Sequence, residues 1–180
     1  MTRCVALLRG INVGKAKRIA MADLRTLFEG LGYSGVRTLL NSGNVVFDAT
    51  RPDTARIAAA IEKSIVTRFG FGVAVVVVTA KELEAIVVAD PLSKVAVNPS
   101  RYLVAFVTDG RILADANALS AQSWAPEALA LGKGAAYLWC ANGINESQLA
   151  VAFYRATRES ATMRNWATVL KLQTLTRAQE

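Results

Sequence analysis

"VRTLLNSGNVVF", residues 36–47, reads as a hairpin: β-forming residues flank "NSGN", where Gly43 supplies the positive φ of a tight turn. Upstream, "RCVALLR" (3–9) reads as a strand that is apolar on both faces. It is followed by "MADLRTLFEGLGY" (21–33), with Met21, Leu24, Leu27, Phe28 and Leu31 on one helical face and Gly30 and Gly32 closing the helix. Downstream, Pro52 and Asp53 open a helix that turns Ile57, Ile61, Ile65 and Phe69 inward. After "GFG" comes the β-branched run "VAVVVV" (73–78), a strand. The order is β-α-β-β-α-β, the ferredoxin-like split βαβ arrangement, whose usual strand order is 4-1-3-2. Such a sheet carries helices on one face. Because its first and last strands are apolar on both faces, the other face must be covered by the rest of the chain or by a partner subunit.

Thr79 and Glu82 fit a capping box for a short helix ending near Asp90–Pro91, and "KVAVNPS" connects it to the second half of the chain. A second set of elements is expected there: a strand at "RYLVAFV", a helix over 112–122, and a hairpin in "EALALGKGAAYLWC" turning at Gly132–Gly134. Asn145 and Gln148 are the expected caps of the next helix. Thr162 is the expected cap of the last, which starts near "RNWATVLKL" with Trp166, Val169 and Leu170 facing the core. The fold class is therefore α+β: a ferredoxin-like subdomain (1–90) and a second, smaller α+β subdomain with a C-terminal helix (91–180) packed against it. The two halves resemble each other only loosely in element order.

At 180 residues and 53% apolar composition the chain has ample material for a core. No apolar run approaches the roughly 20 residues of a membrane span, and the N-terminus lacks the layout of a signal peptide. Cys4 and Cys140 are too few for a disulfide scaffold. The expectation is a soluble cytoplasmic protein. Histidine is absent altogether, which removes the commonest general base and the commonest ligand of zinc and iron. No HExxH, DxD or paired-glutamate pattern is present, so no metal and no cofactor are expected.

The net charge of +7 is concentrated at the chain ends: residues 1–40 hold seven Lys/Arg against two acids, and residues 155–180 hold five against two. Such clusters draw anions toward the surface. In "LLRGINVGKAKR" (7–18), Gly10 and Gly14 permit backbone turns that aim amides at an anion, and the cations follow them. The stretch is not a Walker loop, since only three residues separate the glycines and Ala16 follows Lys15; nor is it a GxGxxG fingerprint. In the 4-1-3-2 order this loop and the Asn41–Asn44 turn leave the same end of the sheet. The candidate ligand-binding residues are therefore Arg9, Asn12, Lys15, Asn41, Ser42 and Asn44. Arg164 and Asn165, in the expected first turn of the last helix, form a third wall. An Arg at a helix N-terminus opposes the helix dipole and calls for an acidic partner such as Glu159 or Asp109, or for a bound anion. Lys17 and Arg18 are assigned to solvent.

Three functions fit: binding of a small anionic ligand (with or without catalysis), binding of a nucleic-acid backbone by the basic ends, and a structural or oligomer-forming module with no ligand. Base reading on an open sheet is disfavoured, because the first strand has no aromatic residue and the third offers only Phe47.

Taken together, "LLRGINVGK", "LLNSGNVVF", "NPSRYLVAF" and "TMRNWATVLKL" resemble an uncharacterised bacterial domain-of-unknown-function family whose members open on RGINVGG. The resemblance spans nearly the whole chain. It implies two packed α+β subdomains, the first ferredoxin-like, and brings no established activity. Lys15 stands where the family pattern has a second glycine, which makes the loop more restricted and more basic.

Overall fold

The computed structural model describes residues 1–158 and 160–178. Two compact units divide the chain: Met1–Leu83, joined by the C-terminal residues from Leu172, and Glu84–Lys171. Each is built on a four-stranded antiparallel sheet.

In the first unit the elements are β1 (Thr2–Leu8), α1 (Met21–Gly30), β2 (Ser34–Leu39), β3 (Asn44–Ala49), α2 (Thr54–Phe69) and β4 (Val75–Thr79), with α3 (Ala80–Ala89) running on into the second unit. The strand order is β2-β3-β1-β4, as the hairpin and crossovers imply. One core holds Leu24, Leu27 and Phe28 of α1 and Ile57, Ile61 and Ile65 of α2 over Cys4, Ala6, Leu8, Val45 and Phe47 of the sheet. Every residue from Cys4 to Leu8 is buried, on both faces of β1. Asp53 caps α2 by accepting the Arg56 N–H, and Thr79 and Glu82 form the reciprocal capping box of α3.

The second unit contains β5 (Tyr102–Phe106), the short helices α4 (Arg111–Ala114) and α5 (Asn117–Ser120), β6 (Ala128–Leu131), β7 (Ala135–Trp139), α6 (Gln148–Ala156), β8 (Thr162–Asn165) and the start of α7 (Trp166–Arg177). Its strand order is β6-β7-β5-β8. The likeness between the halves is thus closer than their sequences suggest: both run β-α-β-β-α-β-α, with the same strand order and with α4 and α5 in place of α1.

Four expectations for this unit are corrected. The helix over 112–122 is broken in two at Asp115–Ala116, where the backbone makes single turns and no continuous ladder. Ser147, rather than Asn145 or Gln148, caps α6, accepting the Ala150 N–H at 2.9 Å. Thr162 is not a cap: residues 162–165 pair with β5, Arg164 opposite Val104, and Asn165 caps α7 by accepting the Thr168 N–H at 2.9 Å. Leu170 is 38% exposed, while Trp166 and Val169 are buried.

Across the two central strands of the first sheet, where Arg3 of β1 lies opposite Asp48 of β3, Arg3 Nε and Nη2 donate to both oxygens of Asp48 at 3.0 and 2.8 Å, while Nη1 donates to the carbonyl of Ala178. The guanidinium of Arg3 holds the Asp48 carboxyl below its usual pKa, so the unfolded state takes up this proton first as pH falls. The stabilisation is complete above the ordinary carboxylate range and is lost as pH falls through the folded-state value beneath it. Asp48→Asn should cost about 1–3 kcal/mol at pH 7. In urea titrations the gap to wild type should narrow as pH falls below the ordinary carboxylate range, and a gap that stays constant there would dismiss the ion pair as its source.

Candidate functional site

β1 ends at Leu8 and α1 begins at Met21, so residues 9–20 cross the end of the first sheet. The equivalent crossing in the second unit, from β5 to α4, takes only residues 107–110. The architecture itself does not require the longer loop.

The loop is fixed by Asn12. This residue sits in the left-handed region (φ 56°), which asparagine tolerates better than most residues. Its Nδ2 donates to the carbonyls of Ile19 and Asn41, both at 2.9 Å, and its Oδ1 accepts the Ile19 N–H at 2.9 Å. One side chain thus closes the loop on itself and ties it to the β2–β3 turn. Lys17 Nζ anchors the far side on the carbonyl of Gly72 at 3.0 Å. The turn is held from its own side as well: Leu8 N–H donates to the Gly43 carbonyl at 2.8 Å, and buried Asn44 donates to the Leu39 carbonyl and to Ser42 Oγ. Gly43 (φ 77°) packs so closely that a Cβ there would lie 2.7 Å from Leu8 Cβ and 2.9 Å from Ile11 Cδ1.

The structure therefore brings the Gly10–Lys15 loop and the Asn41–Asn44 turn to one end of the sheet, but it gives the candidate residues unequal parts. Asn12 and Asn44 build the loop and turn; their amides are engaged by the protein. Arg9 is half-buried, its N–H held by the Ala74 carbonyl. Lys15, Asn41 and Ser42 are exposed. Arg164 and Asn165 belong to the second unit. Arg164 lies in a strand instead of a first helical turn, its Nη1 donates to the Met163 carbonyl at 2.8 Å, and burial pushes its guanidinium down to about 10. Of its two expected acidic partners, Asp109 holds Arg111 at 2.7 Å and Glu159 lies outside the described residues.

A cleft of about 390 Å³ opens where loop and turn meet, lined by Asn12, Arg18, Ile19, Ala20, Met21 and Asn41. Arg18, assigned to solvent from the sequence, is the charged wall among these residues. The usable signal was position: Arg18 directly precedes the buried Ile19 and the start of α1, so its backbone is fixed even though its side chain is exposed. In sequence the loop and the turn are free of acids, and the next carboxylate along the chain from the loop, Asp23 in the first turn of α1, pairs with Arg68 at 3.5 Å. Residues 1–22 carry Arg3, Arg9, Lys15, Lys17 and Arg18 without an acid, and residues 30–47 carry Arg37 without an acid. Among the described residues, the cleft lining contains a guanidinium, two side-chain amides and apolar carbon, with no carboxylate, thiol or hydroxyl. Such a set binds and orients, and brings no nucleophile–base pair. Cys4 lies in the core beneath, its thiol pushed up to about 11, first of all by burial. Among the described residues no group of His, Cys, Asp and Glu is arranged to hold a metal ion, and no helix is long and apolar enough to cross a membrane.

Residues 1–137 match the family described as "Protein of unknown function (DUF1697)". No curated protein matches the chain. Among solved structures, the chain is similar to that of the conserved bacterial protein SP0830 from Streptococcus pneumoniae. The TM-score is 0.80 at 24% identity, over 98% of this chain and 99% of that one. That likeness is one of fold.

Proposed function

The chain belongs to the DUF1697 family, which carries no assigned activity, so its function must be read from its own side chains, and we propose that it binds a small anion in the cleft at the end of the first sheet. The observation that carries this reading is a rigid pocket inside an acid-free stretch of cations. Asn12 fixes the walls, Arg18 faces the opening, and Lys15 adds field from the loop. A volume of about 390 Å³ falls in the range of small-molecule sites. Arg18 offers a planar fork suited to a carboxylate or phosphate, whereas Lys15 acts as a mobile point charge.

Titration calorimetry with inorganic phosphate and simple carboxylates checks the reading. Arg18→Ala should weaken binding by roughly tenfold and Lys15→Ala by about twofold to threefold, since an exposed point charge contributes less than about 1 kcal/mol. Binding of an oligonucleotide that falls log-linearly with salt, without response to Arg18→Ala, would favour the backbone-binding alternative and defeat the pocket.

A further inference from the structure

The cleft has a second character that a phosphate alone leaves unused. Half of its lining is apolar: Ile19, Ala20 and Met21, opposite the polar rim of Asn12, Arg18 and Asn41. Two large aliphatic side chains also stand in water on the two segments that frame it, Val13 at 71% exposure on the loop and Leu40 at 53% on the turn. The bond from Asn12 Nδ2 to the Asn41 carbonyl fixes these two segments to each other.

Leu40 is the telling residue. Its φ of 58° lies in the left-handed region, where a leucine is strained and an asparagine or glycine would be at ease. An exposed, strained leucine contributes nothing to a hairpin turn that Asn, Gly or Asp would make better. Strain kept next to a residue that lines a cleft, here Asn41, points to use.

We infer that the ligand is an amphipathic anion: an acidic head group held by Arg18, with an apolar group lying over Ala20 and Met21 and covered by Leu40 from the turn. This rests on the anion-binding reading and names the class of ligand within it. An apolar group of a few carbons matches a cleft of this size; a fully polar anion would leave the aliphatic wall wet.

The test is a chain-length series of inorganic phosphate, butyl phosphate and octyl phosphate, all below the concentration at which they form micelles, with octanol as the uncharged control. Affinity should rise with each methylene that becomes buried, by up to roughly fourfold apiece, so that octyl phosphate binds at least about tenfold more tightly than inorganic phosphate. Leu40→Asn should relieve the turn and raise the thermal midpoint while flattening the chain-length series. A gain in stability with a loss of this response is not what a structural role for Leu40 would produce. Arg18→Gln should weaken every phosphate by a similar factor and leave octanol, which should bind poorly, unchanged. If the phosphates bind equally whatever their chain, the inference fails and the anion site stands. If octanol binds as well as octyl phosphate, the cleft is only a greasy surface and the inference fails. If no member of the series binds, both readings fall.

Discussion

Gly43→Ala is expected to destabilise the protein by about 2–5 kcal/mol, from two separate costs. A side chain in the left-handed region costs about 1–2 kcal/mol. Forcing a methyl group into a filled space adds roughly 1–3 kcal/mol. Here the methyl would meet Leu8 Cβ at 2.7 Å and Ile11 Cδ1 at 2.9 Å, and Leu8 cannot retreat because its backbone is in β1 and its N–H is bonded to Gly43 itself. Gly70→Ala is the matched control. Its φ of 78° is nearly the same, but nothing lies within 4 Å of the added carbon, so only the conformational cost applies. Urea unfolding of the two variants should show Gly43→Ala losing at least about 1 kcal/mol more. Equal losses would mean that the packing between turn and loop is looser than the distances say.

Asn12→Ala should cost about 2–4 kcal/mol and abolish anion binding as well. Three hydrogen bonds are lost at about 1 kcal/mol each, and the replacement sits less easily at φ 56°. The carbonyls of Ile19 and Asn41 lose their donor and the Ile19 N–H its acceptor, so the loop separates from the turn. Asn12→Asp separates the one accepted bond from the two donated ones. It keeps an acceptor for the Ile19 N–H but turns a carboxylate oxygen toward two carbonyls, and it should be no better than Asn12→Ala. Amide hydrogen exchange reports the result directly: the Ile19 N–H should lose protection in Asn12→Ala while that of Val46 in β3 is nearly unchanged. Retained protection at Ile19 would show that the loop is held by something other than Asn12.

Both predictions depend on residues whose sequence context announced a turn but not its purpose. The hairpin, the helices with apolar residues three and four apart, and the capping box at Thr79–Glu82 were legible because each is a local signal. The strand order came from connectivity. Three features were hidden because their determinants are distant in sequence. Residues 162–165 become a strand only through pairing with β5, and nothing in "TMRN" alternates strongly enough to say so. Asn12 reads as a ligand donor until its partners at Ile19 and Asn41 are known. Arg18 reads as a solvated cation until the chain on either side of it is seen to be fixed. For the candidate site, local signals identified the chain segments that meet, while the division between residues that build the cleft and residues that face its opening required the three-dimensional bonds.

The matching strand orders of the two units also set up a comparison within one molecule. Both follow one β-α-β-β-α-β-α pattern, and they differ in the crossing that follows the first strand. One has a bare crossing, residues 107–110, with the ion pair Asp109–Arg111; the other carries the long cationic loop of residues 9–20. The unit with the short crossing is the natural control for the one that bears the loop. Exchanging the two crossings would ask, in one molecule, what the longer segment costs the fold that carries it.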